Sequence, residues 1–478
     1  MTLTLGTPLV TEGVVAALAA LVLVVGLLRP ATNSTSRTAR VVGWITFVGL
    51  LVALATTLAA TDGSLFGGTY VVDGLARFAK RLVLGSAAIS VLASISGSPG
   101  ALTRRAAEYH FTLLFSLLGM LVLVSARELI LLFVAFELMS IPLYVLTGFL
   151  KRDDAAPEAA LKFFLVGTVA AAVIAYGMSF MYGVMGTTLL EDMRAAMTQR
   201  HPLMQLGLGL VLAGLGFKIA AFPFHMWAPD SYQAGSTPFV AWLSVAPKAA
   251  GFVVIIRLFV EGGASAALAW IPLLSMLAGV TIIAGNLMAI PQQNMKRLLA
   301  YSGVAHIGYM LIGLAAMSAD GVAMVLFYLI AYVFGNMGAF LVVEAVGRAD
   351  QSNGMDAYRG LAQRSPLLAL AMLLFLLSLG GIPFVAGFWA KLYVFLVGVE
   401  RGLIGLVFVG AVLTVVALYY YLLVARRMYI EAPLQKTPVL VSASLGTTLV
   451  VCVLGVIGIG VYPAPWLDAA RRIAEALF

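Results

Sequence analysis

Long apolar runs, separated by short polar breaks, recur from one end of the sequence to the other. They begin near residues 9, 41, 76, 110, 129, 159, 204, 238, 268, 298, 322, 366, 403 and 438. Backbone groups inside a bilayer must be satisfied within their own segment, and the alternation typical of barrel strands is absent. With roughly 20 residues needed to cross the hydrocarbon core, the runs predict about 14 transmembrane α-helices.

The composition supports a membrane protein and excludes several other classes. Of the 478 residues, 62% are hydrophobic and only 10% are charged, which is outside the range of soluble globular domains. The net charge of +8 has no basic cluster with interleaved aromatics behind it, so it does not indicate nucleic-acid binding. The single cysteine, Cys452, lies in an apolar run. We therefore expect that this chain alone forms no intrachain disulfide, thiolate metal site or iron–sulfur cluster.

The loops divide into two sets by their content of Lys and Arg, which marks the cytoplasmic side of a membrane protein. The loops assigned to the cytoplasm hold Arg29, Arg37, Arg40, Arg104, Arg105, Lys151, Arg152, Lys296, Arg297, Arg348, Arg359, Arg364, Arg426, Arg427 and Lys436, and the opposite loops hold Arg127, Arg194, Arg200, Arg401, Arg471 and Arg472. No Lys or Arg precedes the first run, which is the reverse of a secretory signal. We expect a retained first helix and both termini on the periplasmic side of a bacterial inner membrane.

Four lysines lie inside long apolar runs: Lys162, Lys218, Lys248 and Lys391. An ammonium at bilayer depth costs a few kcal/mol and persists mainly where it faces a protein interior or water. Burial disfavours the charged form of an amine, so such lysines can take up and release protons. They predict a path for proton transfer. The alternative is that each lysine is a structural or snorkelling residue.

Glu137 is the one acid placed near the middle of a run, and Lys162 lies in the next run. We expect the two to form an ion pair that acts as a switch; the alternative is a static pair that locks two helices. His225 and His306 lie in or beside runs and titrate near neutral pH, so they are candidates for passing protons or for ordinary packing.

Three prolines mark predicted helix breaks: Pro223 after Lys218, Pro247 before Lys248, and Pro383 before Lys391. Breaks in corresponding positions five spans apart indicate inverted repeats with a site near the midplane. The predicted fold is an all-α polytopic membrane protein with two inverted five-helix repeats containing broken helices. The predicted domains are 1–109 with helices 1–3, 110–262 with the first repeat, 263–430 with the second repeat, and 431–478 with helix 14 and the tail.

The sequence contains no convincing motif for nucleotide binding or hydrolysis. The glycines between Gly207 and Gly216 lie inside an apolar run, not between a strand and a helix, so they predict close helix packing. No Ser-His-Asp or metal-ligand arrangement is convincing. This favours transport over catalysis within the chain.

Five stretches between about residues 110 and 400 carry a specific resemblance: FELMSIPLYVLTGF, EAALKFFLVG, GFKIAAFPFHMWAPDSYQAGSTPFVAWLSVAPKAAGF, NMKRLLAYSGVAHIGYMLIG and LSLGGIPFVAGFWAKLYVF. They resemble the antiporter-like membrane subunits of complex I (NADH–quinone oxidoreductase). The stretch SVAPKAAGF and a lysine in the twelfth span are most similar to the N subunit (NuoN-type).

The resemblance implies a proton-translocating subunit driven by quinone reduction in partner subunits. It assigns proton transfer to Glu137, Lys162, Lys218, Lys248 and Lys391. NADH, FMN, iron–sulfur clusters and quinone would be bound by partner subunits and no cofactor or metal by this chain. M-type and K-type subunits would be its neighbours in the bilayer. Two alternatives stay open: a subunit of an Mrp-type cation/proton antiporter, and a structural membrane scaffold whose buried charges only specify packing.

Overall fold

The computed structural model describes residues 8–28, 35–96, 100–150, 155–198, 201–263 and 267–478. Arg29, Lys151, Arg152 and Arg200 of the loop-charge pattern lie outside these ranges. Within them, regular strands are confined to one antiparallel hairpin of β1 (Gly63–Leu65) and β2 (Tyr70–Val72), and almost everything else is helical. The chain forms two compact units. Unit 1 comprises Met1–Ile219 with Ala234–Ala267, and unit 2 comprises Ala220–Gln233 with Leu268–Phe478.

Unit 1 is built around two short helices of which every residue is buried, α11 and α12. Its helices are α1 (Val10–Leu27), α2 (Thr35–Ala59), α3 (Gly74–Ser94), α4 (Gly100–Arg104), α5 (Ala106–Ser125), α6 (Leu129–Thr147), α7 (Ala155–Met185), α8 (Met193–Thr198), α9 (Pro202–Ile219), α11 (Thr237–Leu243) and α12 (Ala246–Ile255). A π-helical segment, Ile256–Glu261, continues α12. Helix α10 (Trp227–Ala234) lies at the boundary and belongs to unit 2 except for its last residue.

Carboxylate side chains cap the N-termini of two unit 1 helices at the same end of the unit. Asp73 accepts the Ala76 N–H at 2.8 Å at the start of α3, and Glu128 accepts the N–H groups of Ile130 and Leu131 at 3.0 and 2.7 Å at the start of α6. Side-chain caps of this kind satisfy amides that no helical carbonyl reaches. The ion pairs of Asp73, described below, connect this end of α3 to Arg127 and Arg257.

Unit 2 is centred on α14 and α15, which are buried along nearly their whole lengths. Its helices are α13 (Ala267–Ala289, of which the first residue is in unit 1), α14 (Met295–Ala315), α15 (Ala319–Asp350), α16 (Leu361–Arg364), α17 (Pro366–Gly380), α18 (Ala386–Glu400), α19 (Ile404–Tyr429), α20 (Ala443–Val461) and α21 (Ala464–Glu475). Asn294 caps α14 and Ser318 caps α15 through side-chain oxygens.

The helices account for the predicted number of spans. In the described part of the chain, 12 helical segments are long and apolar enough to cross a membrane. The remaining two predicted spans correspond to α3 and to the pair α17 and α18. Helix α3 is less apolar because Arg77, Lys80 and Arg81 lie in its first turns, and the other span is interrupted. The prediction of an all-α polytopic membrane protein is confirmed.

The chain leaves the helical conformation at each predicted break. Pro223 lies between the end of α9 at Ile219 and the start of α10, and Pro383 lies between α17 and α18. Pro247 lies in the first turn of α12, two residues after Val245 interrupts the helix. Proline has no N–H to donate to a helix, so it is accommodated at these interruptions and at a first turn.

Candidate functional site

Lys218 lies in the last turn of α9, where the helix carbonyl ends favour a cation. Its side chain is 1% exposed. The Nζ atom donates to Ser140 Oγ at 2.8 Å and stands 5.3 Å from the centre of the Phe136 ring. Ser140 Oγ in turn donates to Phe136 O at 2.6 Å. One hydroxyl and one aromatic face on α6 therefore hold the amine in an otherwise apolar interior.

Glu137 lies on the same helix, one turn before Ser140, and its charge acts on Lys218. Its Oε1 is buried without a hydrogen-bond partner. The predicted ion pair between Glu137 and Lys162 is not formed. Lys162 Nζ lies 2.7 Å from Glu158 Oε1, one turn earlier on α7, and the two side chains are 52% and 66% exposed. The prediction of this pair was wrong because Lys162 projects from the exposed face of α7.

Lys248 lies in the first turn of α12 and is 1% exposed. Gly251, one turn further along α12, packs against α9 so closely that an added Cβ would stand 2.8 Å from Ile219 Cγ2 and 3.9 Å from Lys218 Cγ. Since residues three apart share a helix face, Lys248 and Lys218 belong to the facing sides of this α9–α12 contact. The structure thus sets Glu137 near Lys218 and places Lys248 on a helix that packs against the helix of Lys218.

Lys391 lies on α18 in unit 2 and is 3% exposed. Its Nζ donates to Gly380 O, at the end of α17, at 3.3 Å and stands 4.7 Å from the centre of the Tyr309 ring. The interruption between α17 and α18 supplies the carbonyl, and an aromatic face supplies a second favourable contact for a cation. Lys391 is therefore held by the same kinds of partner as Lys218.

A network of hydroxyl, amide and imidazole groups extends from Tyr309 through unit 2. The Tyr309 hydroxyl lies 3.3 Å from Asn286 Nδ2 and 3.3 Å from Thr414 Oγ1. Tyr420 donates to Asn286 Oδ1 at 3.1 Å, and the Tyr421 hydroxyl lies 2.5 Å from Ser302 Oγ. Side chains of this kind pass protons along hydrogen bonds when water completes the chain.

The two predicted histidines both lie in unit 2, in different surroundings. His306 is 4% exposed, and its Nδ1 lies 2.7 Å from the Tyr328 hydroxyl, with the Tyr309 and Tyr332 rings beside it. His225 lies in the segment after the α9 break, with Nε2 3.4 Å from Met288 Sδ. His306 is thus part of the network around Tyr309, whereas His225 packs against a thioether.

Several charged groups were missed at the level of the sequence. Lys80 on α3 forms an ion pair with Glu12 on α1 at 2.8 Å, and both are buried. Arg257, in the π-helical segment that follows α12, bonds to Asp73 at 2.9 Å. The signal for Lys80 was its place among Arg77 and Arg81, on the helix face that carries Ala76, Val83 and Leu84. Glu12 lies near the start of the first run, where an acid is unremarkable.

The described residues provide buried ionisable groups but no ligand set for a metal ion. Among the described residues, no group of three or more His, Cys, Asp or Glu side chains is placed to hold one. Each unit instead has a buried amine set against a hydroxyl or carbonyl oxygen and an aromatic ring. Proton transfer is the chemistry that these groups can support.

Comparison with known proteins gives matches over nearly the whole chain. Residues 126–417 match the family described as NADH:quinone oxidoreductase/Mrp antiporter, TM. The NADH-quinone oxidoreductase subunit N of Heliobacterium modesticaldum is 40% identical over 477 residues, covering 98% of this chain and 99% of that protein. The protein of the same name from Moorella thermoacetica is 39% identical over 475 residues, covering 98% of each.

Solved structures show the same similarity. A chain of respiratory complex I from Thermus thermophilus with bound aureothin has 32% sequence identity and a TM-score of 0.80, with 96% of this chain and 98% of that chain covered. A chain of the Mrp complex from Dietzia sp. has a TM-score of 0.85 with 98% of each chain covered, but its identity is 19%. The second similarity extends to the fold alone.

Proposed function

Because this chain belongs to the family of NADH-quinone oxidoreductase subunit N, the antiporter-like membrane subunits of complex I, we propose that its buried lysines carry protons across the membrane. It is a membrane subunit of that enzyme and part of a multisubunit complex. In the proposal, quinone reduction in partner subunits supplies the driving force. NADH, FMN and quinone are bound by those partners in the proposal, and so are the iron–sulfur clusters, which the single cysteine of this chain cannot build.

The observation that carries the proposal is the environment of Lys218. Its amine is buried, bonded to one hydroxyl, and acted on by the charge of Glu137, whose Oε1 has no hydrogen-bond partner. The Glu137 carboxylate is half-buried and its Oε1 atom is not bonded, so a change in the position of this group acts directly on the amine. A structural ion pair, by contrast, is saturated by hydrogen bonds.

Glu137 is the switch in this proposal. At an effective dielectric constant of about 20, moving a unit charge from about 4 to about 8 Å changes the interaction by roughly 2 kcal/mol. Lys162, on the next helix, is paired with Glu158 instead and takes no part in this switch. A shift of this size is enough to release the proton that Lys218 holds, because about 1.4 kcal/mol corresponds to a tenfold change in an equilibrium.

The proton takes a route through both units. It is taken up from the cytoplasm at Lys218, equilibrates with Lys248, passes to Lys391 and leaves on the outer side. The hydroxyl network around Tyr309 and His306 supports the second half of this route, since it contacts Lys391. In the proposal, His225, beside the α9 break, is a secondary relay toward the surface. M-type and K-type subunits are the proposed neighbours.

Replacement of Lys218 by methionine tests the proposal, because methionine fills a similar volume without an amine. The variant complex, in proteoliposomes with NADH and quinone, is expected to lose proton pumping. Electron transfer from NADH to an artificial acceptor, which does not need this subunit, is expected to stay unchanged. Glu137→Gln should reduce pumping in the same assay. Unchanged pumping in both variants would reject the proposal.

A further inference from the structure

A second buried ion pair lies in unit 1, outside the set of lysines described above. Lys80 Nζ on α3 stands 2.8 Å from Glu12 Oε1 on α1, and the two side chains are 2% and 6% exposed. Lys80 Nζ also donates to the Tyr70 hydroxyl at 2.9 Å. The amine, the carboxylate and the phenol thus meet where α1 and α3 begin, beside the hairpin.

A structural role alone explains this pair poorly. Burying two charges costs more free energy than packing apolar side chains of the same volume, so a buried ion pair is weak evidence for stability. The helix α1 is already tied to α2 by the hydrogen bond between Thr11 and Thr56 at 2.9 Å. Buried charged groups in a membrane protein indicate a role in moving ions.

The pair lies beside a network of four charges that reaches the surface. Arg257 bonds to Asp73 at 2.9 Å, and Arg127 bonds to Asp73 at 2.9 Å and to Glu261. The side chains of Asp73, Arg127 and Glu261 are 24%, 21% and 19% exposed, so this network meets solvent. The charges of Asp73 and Arg257 act on Lys80.

Asp73 stays ionised and does not itself take up the proton. Burial alone would raise the pKa of its carboxyl, but the charges and hydrogen bonds of Arg257 and the charge of Arg127 hold the pKa well below its ordinary value. The groups that face Lys80 are therefore Glu12 from α1, Tyr70 from β2, and the fixed charges of Asp73 and Arg257. Of these, Glu12 is the group that can accept its proton.

Two buried hydroxyls lie further along α3, and one of them bonds to the helix that precedes the one with Lys248. Ser86 Oγ donates to Val83 O at 2.9 Å, and Ser90 Oγ donates to Pro238 O at 2.6 Å. Pro238 lies in α11, which leads into α12 and Lys248. Both hydroxyls keep free lone pairs that can accept a hydrogen bond from water.

We propose that Glu12, Lys80 and Tyr70 form a proton-exchange site that connects the interior of unit 1 to solvent at the charged network; the inference rests on the proposed function. Lys80 passes a proton from Nζ to Glu12 Oε1, directly or through the Tyr70 hydroxyl, which leaves a neutral amine and a neutral carboxyl. Lys80 then takes a proton from the interior, and Glu12 gives its proton to surface water. One proton crosses the site and both groups return to their starting state.

Glu12→Gln in the whole complex is the central test, because glutamine keeps the shape and hydrogen bonds of the side chain but cannot carry the proton. The double variant Glu12→Gln with Lys80→Met removes the pair without leaving an unpaired charge. Asp62→Asn is the matched control, since Asp62 forms an exposed ion pair with Arg77 near the same hairpin. Assembled complex is quantified on native gels, and protons moved per NADH oxidised are measured in proteoliposomes.

The expected result is that both Glu12 variants assemble normally and move fewer protons per NADH, while Asp62→Asn behaves like the unaltered complex. Full proton movement in assembled Glu12→Gln and double variants would overturn the proposal. Failure of Glu12→Gln to assemble would also overturn it, since the pair would then be a structural tie. Lys218→Met distinguishes failure of this inference from failure of the proposed function. If Lys218→Met abolishes pumping while Glu12→Gln does not, this inference fails and the proposed function stands.

Discussion

Ser140 is the residue on which the placement of the Lys218 amine depends. Its Oγ accepts the Nζ hydrogen bond at 2.8 Å. Ser140→Ala removes that acceptor, and a buried polar group left without its partner costs about 1–3 kcal/mol. We expect the rate of proton pumping in proteoliposomes to fall by about tenfold, which corresponds to about 1.4 kcal/mol in a barrier.

Ser116→Ala is the matched control for that experiment. Ser116 is also fully buried, and its Oγ donates to Met139 O at 2.7 Å, on the residue next to Ser140. Its replacement removes a buried hydroxyl that bonds to the same helix, α6, without removing a bond to a lysine. Equal losses of pumping in the two variants would show that a general packing defect, and not the hydrogen bond to Lys218, is responsible.

At the same scale, the sequence predicts how deep a charged residue lies but not which way it faces. Lys162 and Lys218 are both surrounded by apolar residues, yet one is 52% exposed in the chain and the other is buried. A helix that is apolar on every side has no periodic pattern that distinguishes its faces. The partner of Glu137 could therefore not be identified from sequence spacing.

At the scale of the elements, the turn between α17 and α18 positions Lys391 and requires a glycine for two reasons. Gly381 has a φ of 81°, and a Cβ added there would stand 2.9 Å from Lys391 Cδ. Gly381→Ala should therefore displace the lysine as well as strain the backbone, by about 1–2 kcal/mol for the left-handed conformation. We expect a marked loss of proton pumping, measured per assembled complex in proteoliposomes.

Gly402→Ala separates the two contributions. Gly402 has a φ of 75°, so the backbone strain is similar, but an added Cβ would meet no atom within 4 Å. This variant should lose a similar amount of thermal stability and keep its pumping. If Gly402→Ala lost as much pumping as Gly381→Ala, the position of Lys391 would not be the cause.

The positions of the helices and of their interruptions are the elements that sequence predicts well. Apolar runs of sufficient length give the spans, and Pro223 and Pro383 mark two of the interruptions, because proline removes a helical hydrogen bond. Contacts between elements that are distant in the sequence are not predicted in this way. Glu12 and Lys80 are separated by a whole helix and a hairpin, and nothing in their local sequences shows that they meet.

For the whole molecule, the distribution of loop cations predicts which surface faces the cytoplasm, and cysteine labelling can test it. The single natural cysteine, Cys452, is fully buried, so it should not react with a membrane-impermeant maleimide. In vesicles with the cytoplasmic side enclosed, Glu400→Cys should be labelled and Ser352→Cys should not, since both positions are exposed on loops assigned to opposite sides. The reverse labelling pattern would invert the proposed direction of proton movement.

The number of spans and the membrane class follow from length and hydropathy alone, because they depend on the bilayer more than on particular contacts. The division of the chain into two units does not follow in this way. The segment Ala220–Gln233 belongs to unit 2, although unit 1 residues precede and follow it. This exchange is decided by tertiary packing, to which a hydropathy pattern is insensitive.

Proton pumping by Lys248→Met, expressed per assembled complex, decides whether the buried lysines carry protons. Methionine is apolar and of similar length, so it fills the fully buried site without an ionisable group. The account predicts a normal amount of assembled complex, normal electron transfer from NADH to an artificial acceptor, and loss of pumping. Pumping that falls only in proportion to assembly would show that Lys248 is a packing residue and would contradict proton transfer through the buried lysines.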